Sequence, residues 1–258
     1  MITLKSPREI ELIRKNGRIV ANVHALLTDA AQPGVTTREL DTIAEDYIRS
    51  QGAVPSFLRY GVPPYPASIC ASVNDEVVHG VPNDRPLEEG DILGVDVGAN
   101  SHGFHGDGAV TIAIGEISQQ AKDLMEATER SLHAGIEKAL PGGRLGDISA
   151  AIQEVAESAG YSVVRALVGH GIGREMHESP QVPNYGLHGR GVRLKTGMCL
   201  ALEPMLNIGG YDVEMLDDEW TVVTADGSLS AHFEHTIAIT DDGPKVLTVG
   251  DLALAGGV

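Results

Sequence analysis

The amino-acid sequence predicts an α+β fold in which two related halves share a mostly antiparallel sheet covered by helices. A motif repeats about 107 residues apart: residues 87–96 read L-x-x-G-x-x-L-x-V-D and residues 194–203 read L-x-x-G-x-x-L-x-L-E. In both copies a glycine precedes the final carboxylate, Asp96 or Glu203, by six positions. Two carboxylates at equivalent strand ends predict a two-sided site. Because close carboxylates repel, such a site favours a divalent cation.

Further landmarks repeat in the same order. Each half has a Pro-Gly pair before a helical stretch, a glycine eighteen residues later and an H-x-x-P motif; these are Pro33-Gly34 and Pro141-Gly142, Gly52 and Gly160, and His79 and His177. Chance similarity of common turns is the alternative, but the preserved order favours a duplicated unit over about 20–115 and 128–240. We expect one domain over residues 1–258.

Caps and turn residues place the individual elements. Ser6-Pro7-Arg8-Glu9 has the pattern of a capping box and predicts a helix to about Gln32. Further helices are expected from Thr37 to near Gly52, over 118–140 and over 145–159. Strands are expected near 69–72, 76–78, 92–98, 109–114, 161–168, 198–206, 220–224 and 234–240. Residues 54–67 and 171–197 are rich in glycine and proline and are predicted to be loops.

Composition limits the class of protein. The chain has 258 residues, 42% hydrophobic residues, only two cysteines and a net charge of −17, which is typical of a globular protein that needs no disulfides. The acidic balance argues against a general nucleic-acid binder, so no DNA partner is expected. The sequence has no signal-peptide pattern and no long apolar run, so we expect a cytoplasmic protein without a membrane partner.

Five residues are candidate metal ligands, because each lies in or beside an apolar, strand-like run where an unpaired charge is costly. They are Asp96, Asp107, His170, Glu203 and Glu234. Each alone is more typical of a turn or a sheet edge. Together, four carboxylates and one imidazole suit Mn²⁺, Fe²⁺ or Co²⁺ better than a cysteine-rich zinc site. Two ions held by bridging carboxylates would suit a hydrolase.

Six segments make the sequence resemble the type I methionine aminopeptidases: SVNDEVVHGVP, VDVG, HGD, GHGIGREMHESP, LALEPML and FEHTIAIT. The resemblance extends from about residue 5 to residue 250. It implies the "pita-bread" fold, a pseudo-twofold α+β catalytic domain, and two divalent metal ions per chain. Asp96 would chelate one metal, while His170 and Glu203 would bind the other. Asp107 and Glu234 would bridge the two ions.

The resemblance also implies catalytic and substrate-binding roles. Glu203 would act as the general base. His79 would contact the amine end of the substrate or its amide nitrogen, and His177 would stabilise the oxyanion at the scissile carbonyl. The methionine pocket would be lined by Phe57, Tyr60, Tyr65, Cys70, Met176 and Trp220.

The sequence departs from the usual family pattern near this pocket. The loop FLRYGVPPYP is about two residues longer than usual, and Met176 stands where phenylalanine is common. A flexible thioether in place of a ring softens one pocket wall and is expected to alter selectivity. The turn at 83–87 is one residue shorter, and no amino-terminal zinc-binding extension is expected.

The resulting hypothesis is a metal-dependent aminopeptidase that removes the initiator methionine from nascent polypeptides and prefers a small second residue. A monomer is expected, and the basic residues of the first helix are the candidate surface for a transient ribosome contact. Two alternatives remain. One is a prolidase or aminopeptidase P, although those enzymes usually carry an amino-terminal domain that we do not expect here. The other is a non-catalytic relative that serves as a binding module.

Overall fold

The computed structural model describes residues 2–251, and its four long helices agree closely with the predicted ones. They are α1 (Pro7–Ala30), α2 (Thr37–Ser50), α3 (Gln119–Lys138) and α4 (Leu145–Ser158). Both capping boxes at the first two helices are formed: Ser6 with Glu9, and Thr36 with Glu39. Each box satisfies amide groups that the first helical turn leaves without partners.

Fifteen short strands in the described residues build the rest of the fold. They are β1 (Val54–Pro55), β2 (Ile69–Val73), β3 (Glu76–Val78), β4 (Ile92–Ser101), β5 (Phe104–Ala113), β6 (Ser162–Val163), β7 (Gly169–Gly171), β8 (Glu178–Val182), β9 (Cys199–Leu202), β10 (Met205–Asn207), β11 (Val213–Met215), β12 (Val222–Thr224), β13 (Ser230–His232), β14 (Glu234–Thr240) and β15 (Gly243–Val246).

Nine of these strands form one antiparallel sheet. Its main path runs in the order β1-β4-β5-β14-β9-β7-β8, while β2 pairs with β4 and β15 pairs with β14. The two halves of the sequence therefore meet where β5 pairs with β14, with Glu234 opposite Ala109. The mostly antiparallel sheet expected from the sequence is confirmed.

The helices cover one face of this sheet. Helices α1 and α2 pack on β2 and β4, and helices α3 and α4 pack on β9 and β14. Along β4 the buried Leu93, Val95 and Val97 face the helices, so Asp96 between them faces the opposite side. In β9, Leu200 and Leu202 also face the helices, and Glu203 follows on the opposite side. Asp96 and Glu203 therefore lie on the sheet face opposite to these apolar helix contacts.

The repeated glycines adopt matching conformations in the two halves. Gly90 and Gly197 have φ angles of 95° and 91°, a left-handed region that favours glycine. Their amides donate to Ile114 and Ile239, each at 2.9 Å. The same turn therefore precedes the strand that leads to each carboxylate.

Several short strands escaped prediction. The segment 171–197 was expected to be a loop but contains β8, and the strand expected over 161–168 shortens to Ser162–Val163. The strand expected over 198–206 is interrupted at residues 203–204 and gives β9 and β10. Pairing with neighbouring strands stabilises these short segments, and their local sequence has no periodicity that would predict a strand. Within residues 2–251, no helix has the length and apolar character needed to span a membrane.

Candidate active site

The five predicted ligands come from five neighbouring strand positions of the large sheet. In the order β4-β5-β14-β9-β7, the sheet carries Asp96 on β4, Asp107 on β5, Glu234 on β14, Glu203 directly after β9 and His170 on β7. Asp96 and Asp107 are thereby brought to the same face as Glu234, which lies 120 or more positions later in the sequence. The strand register places Asp107 opposite Gly98 and His170 opposite Ala201, so small residues leave room between the acidic side chains.

Interatomic distances show that these side chains converge. The Nε2 atom of His170 lies 3.5 Å from Glu203 Oε1 and 3.6 Å from Asp107 Oδ2. One donor atom each from Asp107, His170 and Glu234 falls within a span of 4.8 Å, a separation that one metal ion can bridge. Asp96 lies near Asp107, and burial together with the charge of Asp107 disfavours ionisation of Asp96 and so raises its pKa.

Buried oxygen atoms without partners mark the site as incomplete on its own. Among the described residues, Asp96 Oδ1, Asp107 Oδ1, Glu203 Oε1 and Glu234 Oε1 are buried and have no hydrogen-bond partner. Leaving four carboxylate oxygens buried and unpaired is strongly unfavourable. A divalent cation would satisfy them, and oxygen-rich donors with one imidazole fit such a cation.

The electrostatic environment follows from the same crowding. Burial, reinforced by neighbouring carboxylates, raises the pKa of Asp96, Glu203 and Glu234 above the usual range. Burial also raises the pKa of Asp107 to about 7. Without a cation the cluster therefore retains protons at neutral pH, and cation binding must displace them.

His170 is held in the form that a metal ligand needs. Its Nδ1 atom lies 2.9 Å from the carbonyl oxygen of Gly171, which can only accept a hydrogen bond. The proton must therefore be on Nδ1, and Nε2 offers its lone pair to the carboxylate cluster. Burial lowers the pKa of His170 to about 4, which keeps the ring neutral at pH 7.

The two predicted catalytic histidines lie beside this cluster. The ring centroids of His177 and His170 are 4.2 Å apart, and His79 packs edge-to-face on Trp220 at 6.4 Å. Burial lowers the pKa of His79 to about 4. Partial desolvation and the neighbouring His170 lower the pKa of the more exposed His177, also to about 4. His79 has a φ of 60°, an uncommon conformation for a residue other than glycine, which the surrounding structure must maintain.

Most of the predicted pocket residues pack together as an apolar group beside the acidic cluster. Its buried members are Phe57, Tyr65, Ala67, Cys70 and Met176, with Val81 and Trp220 packed against them. Cys70 lies opposite Asp96 in the pairing of β2 with β4, so the pocket and the cluster share a strand pair. Tyr60 differs from the other predicted pocket residues: it is 39% exposed, and its hydroxyl contacts His177 Nδ1 at 2.6 Å.

Three polar residues that contact the site carboxylates or their backbone were not predicted from the sequence. His232 is buried with its Nε2 atom 4.0 Å from Glu234, and Asn184 donates to the backbone oxygen of Glu203 at 3.0 Å. The Thr236 hydroxyl donates to the backbone oxygen of Asp107 at 2.7 Å. The alternation of β14 could have identified Thr236, since it lies two positions after Glu234 on the same face.

Buried carboxylates that converge with a neutral imidazole beside an apolar pocket are typical of a metal-dependent hydrolase. A profile of metallopeptidase family M24 matches residues 11–241, and the chain belongs to this family.

Named relatives and solved structures show which members of the family this chain is similar to. The chain is 55% identical to a methionine aminopeptidase of Clostridium acetobutylicum over 96% of this chain and 99% of the relative. The crystal structure of a methionine aminopeptidase from Rickettsia prowazekii matches with a TM-score of 0.94 and 42% identity, covering 96% of this chain and 100% of that one. A prolidase from Pyrococcus furiosus, 24% identical, shares the fold with a TM-score of 0.76 and covers 95% of this chain and 65% of that one. The pita-bread fold is thus confirmed.

Proposed function

We propose that this protein is a methionine aminopeptidase that removes the initiator methionine from nascent polypeptides. The observation that carries this proposal is the convergence of four carboxylates, each with a buried and unpaired oxygen atom, and a neutral imidazole beside an apolar, sulfur-containing group of side chains. The identity of 55% to a named methionine aminopeptidase over nearly the full chain supports the same activity.

The five converging residues are proposed to hold two divalent ions, Co²⁺, Mn²⁺ or Fe²⁺. Asp96 would bind one ion and His170 with Glu203 the other, while Asp107 and Glu234 would bridge them. The partnerless buried oxygens support this assignment, because each would gain a ligand contact. When bound, the ions would lower the pKa of a water molecule and polarise the scissile carbonyl.

The protein's own groups would supply the remaining chemistry. Glu203, which lies close to His170, would accept the proton of the attacking water and later return one to the leaving amine. His177 would donate to the oxygen of the scissile carbonyl, where negative charge develops. His79, held against Trp220, would contact the amine end or the amide nitrogen of the substrate.

The composition of the apolar group supports methionine as the residue that is released. Phe57, Tyr65 and Trp220 supply aromatic walls, and Cys70 and Met176 supply polarisable sulfur atoms. A long, unbranched thioether fits such a lining. A small second residue is proposed to be preferred, because we expect the pocket floor near the histidines to leave little room for a larger one.

We further propose that residues 1–258 form a single catalytic domain with an internal repeat over about 20–115 and 128–240. The matched turns at Gly90 and Gly197 support the repeat. A monomeric, cytoplasmic protein that contacts the ribosome transiently is consistent with its nascent substrates. Of the basic residues in α1, Arg14 is paired with Glu11 at 2.6 Å and Arg18 with Asp251 at 3.4 Å, which leaves Arg8 and Lys15 as better candidates for such contact.

A pair of peptide substrates tests the proposed activity. Purified protein supplied with Mn²⁺, Co²⁺ or Fe²⁺ should release methionine from Met-Ala-Ser, and it should leave an Ala-Pro peptide intact. Cleavage of Ala-Pro without methionine release would favour a prolidase-type activity. No cleavage of either peptide, together with no bound metal by equilibrium dialysis, would favour a binding module.

A further inference from the structure

The hydroxyl of Tyr60 forms a contact that the methionine pocket does not require. Its oxygen lies 2.6 Å from Nδ1 of His177, and the two rings are tilted at 46° with centroids 5.3 Å apart. The other pocket tyrosine behaves differently, because the Tyr65 hydroxyl donates to the backbone oxygens of Ile69 and Gly80. Tyr60 alone of the two tyrosines therefore reaches a catalytic group.

We propose that Tyr60 is a positioning residue: its hydroxyl donates to His177 Nδ1 and thereby keeps the ring proton on Nε2, facing the reacting carbonyl. This inference rests on the proposed function only for its catalytic consequence. The tautomer itself is a property of the protein without substrate.

The direction of the hydrogen bond follows from the chemistry of the two groups. A neutral imidazole has one protonated nitrogen and one nitrogen with a free lone pair. A phenol hydroxyl is the more acidic donor, and an imidazole nitrogen is the more basic acceptor, so O–H to N is the favoured arrangement. Burial and the charges of Glu175 and Asp107 raise the pKa of Tyr60, so its hydroxyl keeps its proton at neutral pH.

The neighbouring histidine shows the same device with the opposite outcome. A backbone oxygen fixes the proton of His170 on Nδ1, which frees Nε2 as a ligand. At His177 a hydroxyl that can donate occupies the Nδ1 side, which makes Nε2 a donor. The rings of His170 and His177, with centroids 4.2 Å apart, would thus be a metal ligand and a hydrogen-bond donor, respectively. The group that contacts Nδ1 of each ring determines which role it has.

Tyr60 occupies the longer loop noted in the sequence, and its position there is fixed by backbone contacts. Its amide donates to Phe57, and its carbonyl accepts from Tyr65, each at 2.8 Å. Gly61 follows directly against Trp220, where an added Cβ would lie 2.6 Å from the indole ring. The hydroxyl is therefore held over His177 by a loop anchored on both sides.

Nitrogen NMR of the ring tests the tautomer. Protein labelled with ¹⁵N-histidine and loaded with diamagnetic Zn²⁺ should show His177 protonated on Nε2, with the signal assigned by its loss in His177→Ala. In Tyr60→Phe, which removes only the hydroxyl, the preference for Nε2 should weaken. A wild-type His177 protonated on Nδ1 would overturn the proposal. These spectra decide the tautomer whether or not the protein releases methionine.

A double-mutant cycle tests the consequence for catalysis. Tyr60→Phe should lower kcat for methionine release by about 3- to 10-fold, the equivalent of one hydrogen bond, with little change in KM. In the His177→Ala background the same change should have no further effect, because Tyr60 acts through that ring. Tyr211→Phe, an exposed tyrosine that stacks on Arg165, is the matched control and should leave kcat unchanged. Equal losses in both backgrounds would contradict the proposal.

Discussion

Replacing Glu203 by glutamine separates the chemistry of the site from its folding. The substitution preserves the shape of the side chain but removes its charge and its ability to accept a proton. Glu203 is partly buried, and its Oε1 atom is buried without a hydrogen-bond partner among the described residues and lies 3.5 Å from His170 Nε2. Loss of a general base at such a position lowers kcat by about 10²- to 10⁴-fold, or about 3 to 5 kcal/mol in activation free energy.

The same substitution should not destabilise the metal-free protein. The pKa of Glu203 is raised by burial and by the charges of Asp107 and Asp96. A group with a raised folded-state pKa contributes stability below its unfolded pKa and loses that contribution as pH rises through the folded value. Glutamine removes this loss, so the midpoint of thermal unfolding of the metal-free variant should depend less on rising pH than that of the wild type.

The assay combines turnover of Met-Ala-Ser with bound metal measured on the same preparation. Glu137→Gln, the same chemical change at an exposed position of α3, is the matched control and should keep full activity. Turnover near the wild-type level by Glu203→Gln with metal bound would refute the assignment of the general base. A fall in activity explained wholly by lost metal would show that Glu203 serves only as a ligand.

Three further predictions follow from the burial and charges of the site and core. A divalent ion at 100 times its Kd should raise the unfolding midpoint by about 5 °C, and its binding at pH 7 should release protons, since the pKa of Asp107 is about 7; calorimetry in buffers of different ionisation enthalpy would detect proton uptake instead if the reasoning fails. Burial lowers the pKa of His24 to about 3. Because the unfolded chain binds that proton near pH 6.5, the contribution of His24 should lower stability below pH 6.5, by about 2 kcal/mol at pH 5. His24→Gln should remove this part of the slope in urea unfolding, whereas an unchanged slope would contradict the reasoning. Met176→Phe should raise the ratio of kcat/KM for methionine over leucine substrates by about 3-fold or more, because a rigid ring adapts less to a branched side chain; an unchanged ratio would show that Met176 does not shape selectivity.

The helices and the metal-site strands could be predicted because local sequence determines them. The capping boxes at Ser6 and Thr36 fix where the helices begin, and the period-2 pattern of β4 places Asp96 on the face away from the helices. The matched motifs ending at Asp96 and Glu203 similarly indicate equivalent strands. These signals need no knowledge of distant contacts.

The remaining features depend on tertiary contacts. β8 and β13 form because other strands lie beside them, and neither has a distinctive pattern of its own. The support of the site, such as Asn184 under Glu203 and His232 beside Glu234, joins residues from separate loops and strands. The contact between Tyr60 and His177 spans 117 residues, and only the folded loop brings the two side chains together.

The most direct test of the account is the release of methionine from Met-Ala-Ser by protein stripped with EDTA, before and after Mn²⁺, Co²⁺ or Fe²⁺ is restored. The stripped protein should be inactive, and activity should return with the metal as the ligand cluster is filled. Full activity in the stripped protein would contradict a metal-dependent site. Absence of methionine release with every metal would contradict the proposed function itself.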